Sequence, residues 1–113
     1  SDAVRKSYVD EIQAFQATEK EITKMFNLRQ NFATKLHENQ MVYDELKLLR
    51  PDSEVYKLIG PVLVLSDLAE SKLNTEKRME FINGELKRLD GRIGDLEKER
   101  DEKRVRLEGL ESK

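Results

Sequence analysis

One histidine and no cysteine occur among the 113 residues, so the side chains that most often serve as general bases, nucleophiles and soft metal ligands are nearly missing. His37 stands beside Leu36 in a charged stretch, with no second histidine to complete a ligand set or an acid–base pair. Gly91-Arg92-Ile93-Gly94 has the glycines of a phosphate loop, but it lies inside a heptad-spaced apolar pattern and not between a strand and a helix. Glu97 through Arg104 is a run of mixed charge that reads as a solvated helix face with i,i+4 pairs. No nucleophile is paired with a base. The sequence predicts a non-enzyme with no metal site and no cofactor.

What remains is non-covalent chemistry, concentrated in Val55-Tyr56-Lys57-Leu58-Ile59-Gly60-Pro61-Val62-Leu63-Val64. These residues are mostly apolar and β-branched or aromatic, with a Gly-Pro turn at the centre, and predict a β-hairpin over 54–65. Lys57 marks one wetter position on the first strand, while Val62-Leu63-Val64-Leu65 shows no alternation. A strand that is apolar on both faces is normally covered on both. An isolated two-stranded hairpin is marginal in water, and an uncovered apolar edge invites aggregation. Val55, Tyr56, Leu58, Ile59, Val62, Leu63, Val64 and Leu65 are therefore the candidate subunit interface, in a sheet or barrel completed by neighbouring hairpins. The competing reading packs them on their own helices, whose ends are too small to cover two faces and two edges. The turn type at Gly60-Pro61 stays open, because proline is disfavoured at the second central position of a type I turn.

Two long helices must carry this hairpin. In the first half, Tyr8, Phe15, Ile22, Leu36 and Tyr43 recur at seven-residue spacing, with Arg29 as the exception. A second row runs through Val4, Met25, Phe32 and Leu46, broken by Glu11, Thr18 and Asn39. Rows spaced three and four apart make a coiled-coil seam. Pro51 ends this helix, predicted over 3–50. In the second half Met79, Ile82, Leu86, Leu89, Ile93 and Leu96 keep the seam unbroken, and the phase continues through Arg100 and Lys103 to Leu107 and Leu110. Ser66 or Asp67 caps this helix, predicted over 67–111, and Gly84, Gly91 and Gly94 fall off its seam. Two arms of about 45 residues, each roughly 70 Å long, imply one mostly α domain: an antiparallel coiled-coil helical hairpin with the β-hairpin at the bend. Position i then faces a residue near 116 minus i, so that Leu36 meets Met79, Ile22 meets Ile93 and Tyr8 meets Leu107.

Charge and composition narrow the partners. Charged residues make up 39%, hydrophobic ones 37%, and mean hydropathy is −0.75, which suits a narrow seam better than a thick core. Acids and bases are interspersed, arguing against nucleic acid and against a polybasic membrane surface. No apolar run approaches the ~20 residues of a bilayer span. Nothing at the N-terminus has the form of a signal peptide, and the absence of cysteine fits a reducing compartment. The missing initiator Met points to processing or trimming.

At the far ends, Arg100 and Lys103 occupy seam positions opposite Ile12–Phe15. Unpaired charge there is costly, so the seam is expected to splay and expose Val4, Tyr8, Val9, Ile12, Leu107 and Leu110 as adaptable apolar surface for an unfolded client. The structural alternative pairs Glu11 with one of the two cations and leaves an ordinary terminal seam.

Helix, hairpin and helix, with the Val55–Val64 segment at the bend, resemble a prefoldin subunit of the beta class, since the alpha class carries two hairpins. Asn39-Gln40-Met41-Val42, Glu45-Leu46, Lys77-Arg78, Glu85-Leu86-Lys87-Arg88 and Asp95-Leu96-Glu97 strengthen the likeness, the last three in the eukaryotic manner. The resemblance implies a hetero-hexamer of alpha- and beta-class subunits whose hairpins form a β-barrel platform bearing six coiled-coil arms. The arm tips would hold unfolded clients, actin and tubulin among them, without nucleotide, and deliver them to the cytosolic group II chaperonin. It thus implies a cytoplasmic cochaperone. The chain departs from the family pattern by ending soon after Leu110, which implies a short or trimmed tip. A non-chaperone tethering coiled coil with the hairpin as a clip is the competing function, and periodicity alone does not separate the two.

Overall fold

The computed structural model describes residues 1–112. Its elements, in chain order, are α1 (Asp2–Leu48), β1 (Val55–Ile59), β2 (Val62–Ser66) and α2 (Leu68–Glu111). α1 stops two residues before the expected end, because the residue ahead of Pro51 is pushed out of the helical region. The Leu49 N–H instead turns back to the Leu46 carbonyl at 3.3 Å. The Ser53 N–H then donates to the Arg50 carbonyl at 3.0 Å, closing a turn with Pro51 at its favoured second position. At the start of α2 the cap is Asp67: its Oδ1 accepts from the Ala69 N–H at 3.1 Å and its carbonyl from the Ser71 N–H at 2.9 Å. Ser66 Oγ lies 3.0 Å from Ser71 Oγ instead.

β1 and β2 pair antiparallel, from Val55 with Ser66 to Ile59 with Val62. That register leaves Gly60-Pro61 as a two-residue loop. Gly60 has φ +58° and no other described residue has positive φ, the sign pattern of a type II′ turn, whose backbone twist matches that of the strands. Proline is tolerated at the second loop position because the ladder asks no N–H of it. The turn that the sequence leaves open is thereby closed.

The chain divides into two compact units. In the first, Ser1–Gln30 with the chain from Lys87 onward, the core is Ile22, Leu89, Ile93 and Leu96 with the buried Thr18, and Leu89 is wholly inaccessible. In the second, Asn31–Leu86, Leu46, Leu68 and Ile82 are buried with Ser71 and Thr75. Thr75 Oγ1 donates to the Ser71 carbonyl at 2.8 Å, so that burial leaves its hydroxyl partnered.

Every position of the two predicted rows on α1 is buried or half-buried, the polar exceptions Glu11, Thr18, Arg29 and Asn39 included. The same holds on α2 from Met79 to Leu110. The facing register differs from expectation. Tyr8–Glu111, Arg29–Asp90 and Tyr43–Glu76 are hydrogen-bonded pairs whose residue numbers each add to 119, not 116. The offset of three residues is just under one turn of about 3.6. Its cause is the pivot: strand partners add to 121, because the chain reverses at Gly60-Pro61 and not near residue 58.

Candidate functional site

Side chains alternate across a strand, so the ladder sorts the hairpin into two faces. Tyr56 opposite Leu65 and Leu58 opposite Leu63 share one. These four are 53%, 62%, 71% and 65% exposed, respectively, an apolar face standing in solvent. Val55, Lys57, Ile59, Val62, Val64 and Ser66 share the other. There Val55, Lys57 and Ser66 are half-buried, while Ile59, Val62 and Val64 remain exposed. A cavity of about 460 Å³ separates β1 from Val42, Leu46, Ser71 and Thr75 of the helices.

Lys57 is thus better covered than Tyr56, Leu58 and Ile59 beside it, contrary to its expected role as the wetter position. It shares its face with half-buried Val55 and Ser66, and a lysine's long aliphatic stem lets it cover apolar surface. All eight candidate interface residues lie on this two-stranded sheet, and all but the half-buried Val55 are exposed. Tyr56 donates its hydroxyl to Glu54 Oε2 at 2.8 Å, which raises its pKa above 10.0. Exposed Met41, Val42, Leu48 and Leu73 add apolar helix surface in the same unit. Their signal in the sequence is apolar character at positions outside the seam rows.

At the terminal end the two seam cations are held. Lys103 Nζ donates to Thr18 Oγ1 at 2.6 Å and to the Ala14 carbonyl at 3.4 Å. Arg100 stands 3.6 Å from Glu19, 3.8 Å from Glu97 and 3.5 Å from Asp101. Glu11 pairs with Arg106 at 4.0 Å and with neither seam cation. The expected splaying is therefore absent: hydroxyl, carbonyl and carboxylate oxygens compensate the charge in place. Tyr8 also donates to Glu111 Oε1 at 3.0 Å across the helices, and that bond raises the phenol pKa above 10.0. Of the six candidate client residues only Val9 is exposed; Val4, Tyr8, Ile12, Leu107 and Leu110 are half-buried. Val4, Tyr8 and Leu110 line an open cavity of about 400 Å³.

A family model of prefoldin subunits matches residues 10–111, nearly the whole chain. The chain belongs to the prefoldin family, whose subunits are non-enzymatic chaperone components. It is 46% identical over 95 residues to prefoldin subunit 6 of Arabidopsis thaliana, covering 84% of this chain and 74% of that protein. It is 33% identical over 111 residues to prefoldin subunit 6 of Homo sapiens, covering 98% and 86%. The crystal structure of the prefoldin beta subunit from Thermococcus strain KS-1 superposes with a TM-score of 0.85 at 16% identity, covering 91% of this chain and 90% of that one. At that identity the likeness establishes the fold: two long helices with one antiparallel hairpin between them, as the beta-class resemblance implies. The chain is not an enzyme.

Proposed function

We propose that this chain is a beta-class subunit of a hetero-hexameric prefoldin, assembled with alpha- and beta-class partners through its hairpin, and that it captures unfolded proteins without ATP. The observation that carries the reading is the exposed apolar face of Tyr56, Leu58, Leu63 and Leu65 on a sheet with two open edges. Such a surface is an aggregation hazard on a lone chain and an asset in a closed barrel. Val55, Ile59, Val62 and Val64 complete the interface from the other face.

Clients such as actin and tubulin would be held at the terminal end by Val4, Tyr8, Val9, Ile12, Leu107 and Leu110, and passed to the group II chaperonin of the cytoplasm. Because five of these are half-buried, holding requires local opening of the last turns around the Tyr8–Glu111 bond. Weak contacts on several arms would add by avidity.

Native mass spectrometry of the chain with alpha and beta partners tests assembly. The expected result is a hexamer with the natural sequence and none with Leu63→Asp, at unchanged helical circular dichroism. A stable parallel homodimer would instead favour a tethering coiled coil. Suppression of client aggregation in the absence of ATP tests holding; removal of residues 1–12 and 104–113 should abolish it, and unchanged capture would exclude the terminal site.

A further inference from the structure

The second unit contains an aromatic cleft with a cationic rim that neither proposed surface uses. It has a volume of about 420 Å³, with Phe32, Phe81 and Ile82 as apolar surface and Lys35, Lys77 and Arg78 around it. No acidic side chain lines it. Ile82 is buried and Phe32 half-buried, so the floor is built into the helices; Phe81 is 64% exposed and stands as a free wall. Phe81 lies outside the seam, so coiled-coil packing does not account for it. The size lies within the range of peptide-side-chain and small-ligand pockets.

The charges are arranged and not merely local. Lys35 Nζ sits 6.0 Å from the centroid of the Phe32 ring, which places an ammonium over the aromatic floor. Among the described residues, no ion pair engages Lys35, Lys77 or Arg78. Acids and bases balance over the chain as a whole, with a net charge of −2, whereas the side chains lining this cleft include three bases and no acid.

We infer that this cleft docks an acidic peptide segment carrying a bulky apolar side chain. The apolar group packs on Phe32, Phe81 and Ile82, and flanking carboxylates meet Lys35, Lys77 and Arg78. Apolar contact supplies anchoring and the rim supplies choice of partner, since exposed charges set specificity and association rate more than affinity. Every residue of the cleft lies on α1 or α2 of one chain, outside the hairpin.

The test is fluorescence anisotropy of a fluorescein-labelled Glu-Phe-Glu-Leu-Glu-Asp peptide titrated with the full chain. Saturable binding is expected, about tenfold weaker in the Lys77→Glu/Arg78→Glu variant, as two reversed rim charges warrant. Raising salt should weaken binding to the natural sequence. Phe81→Ser should weaken it too while leaving the salt dependence unchanged, and a peptide with lysine in place of each acid should not bind. Lys35→Glu repeats the charge test from the other helix should the double variant lose helicity. No saturable binding, or equal affinity after charge reversal, overturns the inference. It is overturned as well if Phe81→Ser alters self-association in sedimentation and leaves peptide binding intact, since the cleft is then a contact between copies.

Discussion

Arg29 donates from Nε to Asp90 Oδ1 at 2.5 Å and from Nη2 to Oδ2 at 3.3 Å, so a seam position that calls for an apolar side chain holds a two-pronged ion pair. The hydrogen bond from Arg29 is the main cause holding the Asp90 carboxyl below its ordinary 3.8. A depressed carboxylate pKa means that the pair's contribution is full above the unfolded value and is lost as pH falls through the folded one. The melting-temperature gap between the natural chain and Asp90→Asn should thus be open at neutral pH and narrow progressively as pH falls below the ordinary carboxylate range. Salt should narrow it at neutral pH, since both side chains are partly exposed. Thermal melts by circular dichroism over a series from neutral to acid pH check this; a gap that does not narrow as pH falls contradicts it.

Three tyrosines share one arrangement with opposite sign. Tyr8 donates to Glu111, Tyr43 to Glu76 and Tyr56 to Glu54, and each hydrogen bond raises the phenol pKa above 10.0. Raised acids contribute stability that is present below the unfolded pKa and lost as pH rises through the folded one. Tyrosinate absorbance should therefore titrate above pH 10.0 in the folded chain. Glu76→Gln should bring one of the three phenols back toward the ordinary value. A titration curve unaltered by that substitution would show that the Tyr43–Glu76 bond does not persist in solution.

Thr18 and Lys103 form the polar layer of the terminal seam, and each depends on the other. Thr18 is 5% exposed, and its Oγ1 donates to the Ala14 carbonyl at 3.1 Å while accepting from Lys103 at 2.6 Å. Thr18→Val leaves a part-buried ammonium with one long bond to a carbonyl and should cost about 1–3 kcal/mol. Lys103→Leu alone keeps the Thr18–Ala14 bond and should cost less. The double variant should recover most of the loss, giving a coupling of at least about 0.5 kcal/mol in urea unfolding. Additive losses would mean that the pair does not interact.

The seam was the most legible part of the chain. Both rows on α1 could be placed down to the interrupting Arg29 and Asn39, because burial follows spacing and not residue type alone. The register was not legible to better than a turn. Sliding one heptad pattern against another by three or four residues still sets apolar rows face to face. The pairs that exclude the neighbouring register, such as Arg29 with Asp90, join residues 61 positions apart, a distance that periodicity does not reach. Lys57 differs for another reason: its charge reads as exposure, but strand alternation puts it on the face whose helix-proximal end, with Val55 and Ser66, is half-buried. Lys103 is a similar case, since the Thr18 and Ala14 oxygens that hold it are not carboxylates, and the Glu19 partner of Arg100 lies 81 positions away on the other helix.

Among the described residues Leu89 is the one large side chain with no accessible surface, so truncating it tests where the core of the first unit lies. Leu89→Ala removes buried methyl groups and leaves a cavity, at about 2–5 kcal/mol. Val105→Ala, at a position 64% exposed on the same helix, should change stability by less than about 0.5 kcal/mol. Urea denaturation of the two variants checks the contrast. Equal losses would mean that the first-unit segments do not pack around Leu89.

Gly60 is the point at which backbone conformation and assembly meet. A Cβ added there would touch nothing within 4 Å, yet φ is +58°, so any penalty for Gly60→Ala comes from the backbone alone. Left-handed geometry costs an L-residue roughly 1–2 kcal/mol, and a two-stranded hairpin is too marginal to absorb that. Helical circular dichroism should be unchanged, because neither helix depends on the turn. The register that brings Leu58 opposite Leu63 should loosen, and hexamer yield with the partner subunits should fall. A chemically synthesised chain with D-alanine at the position keeps positive φ without the penalty and should assemble at least as well as the natural sequence. If L- and D-alanine behave alike, the turn is not of the type II′ kind, and the two-faced sorting of the hairpin loses its support.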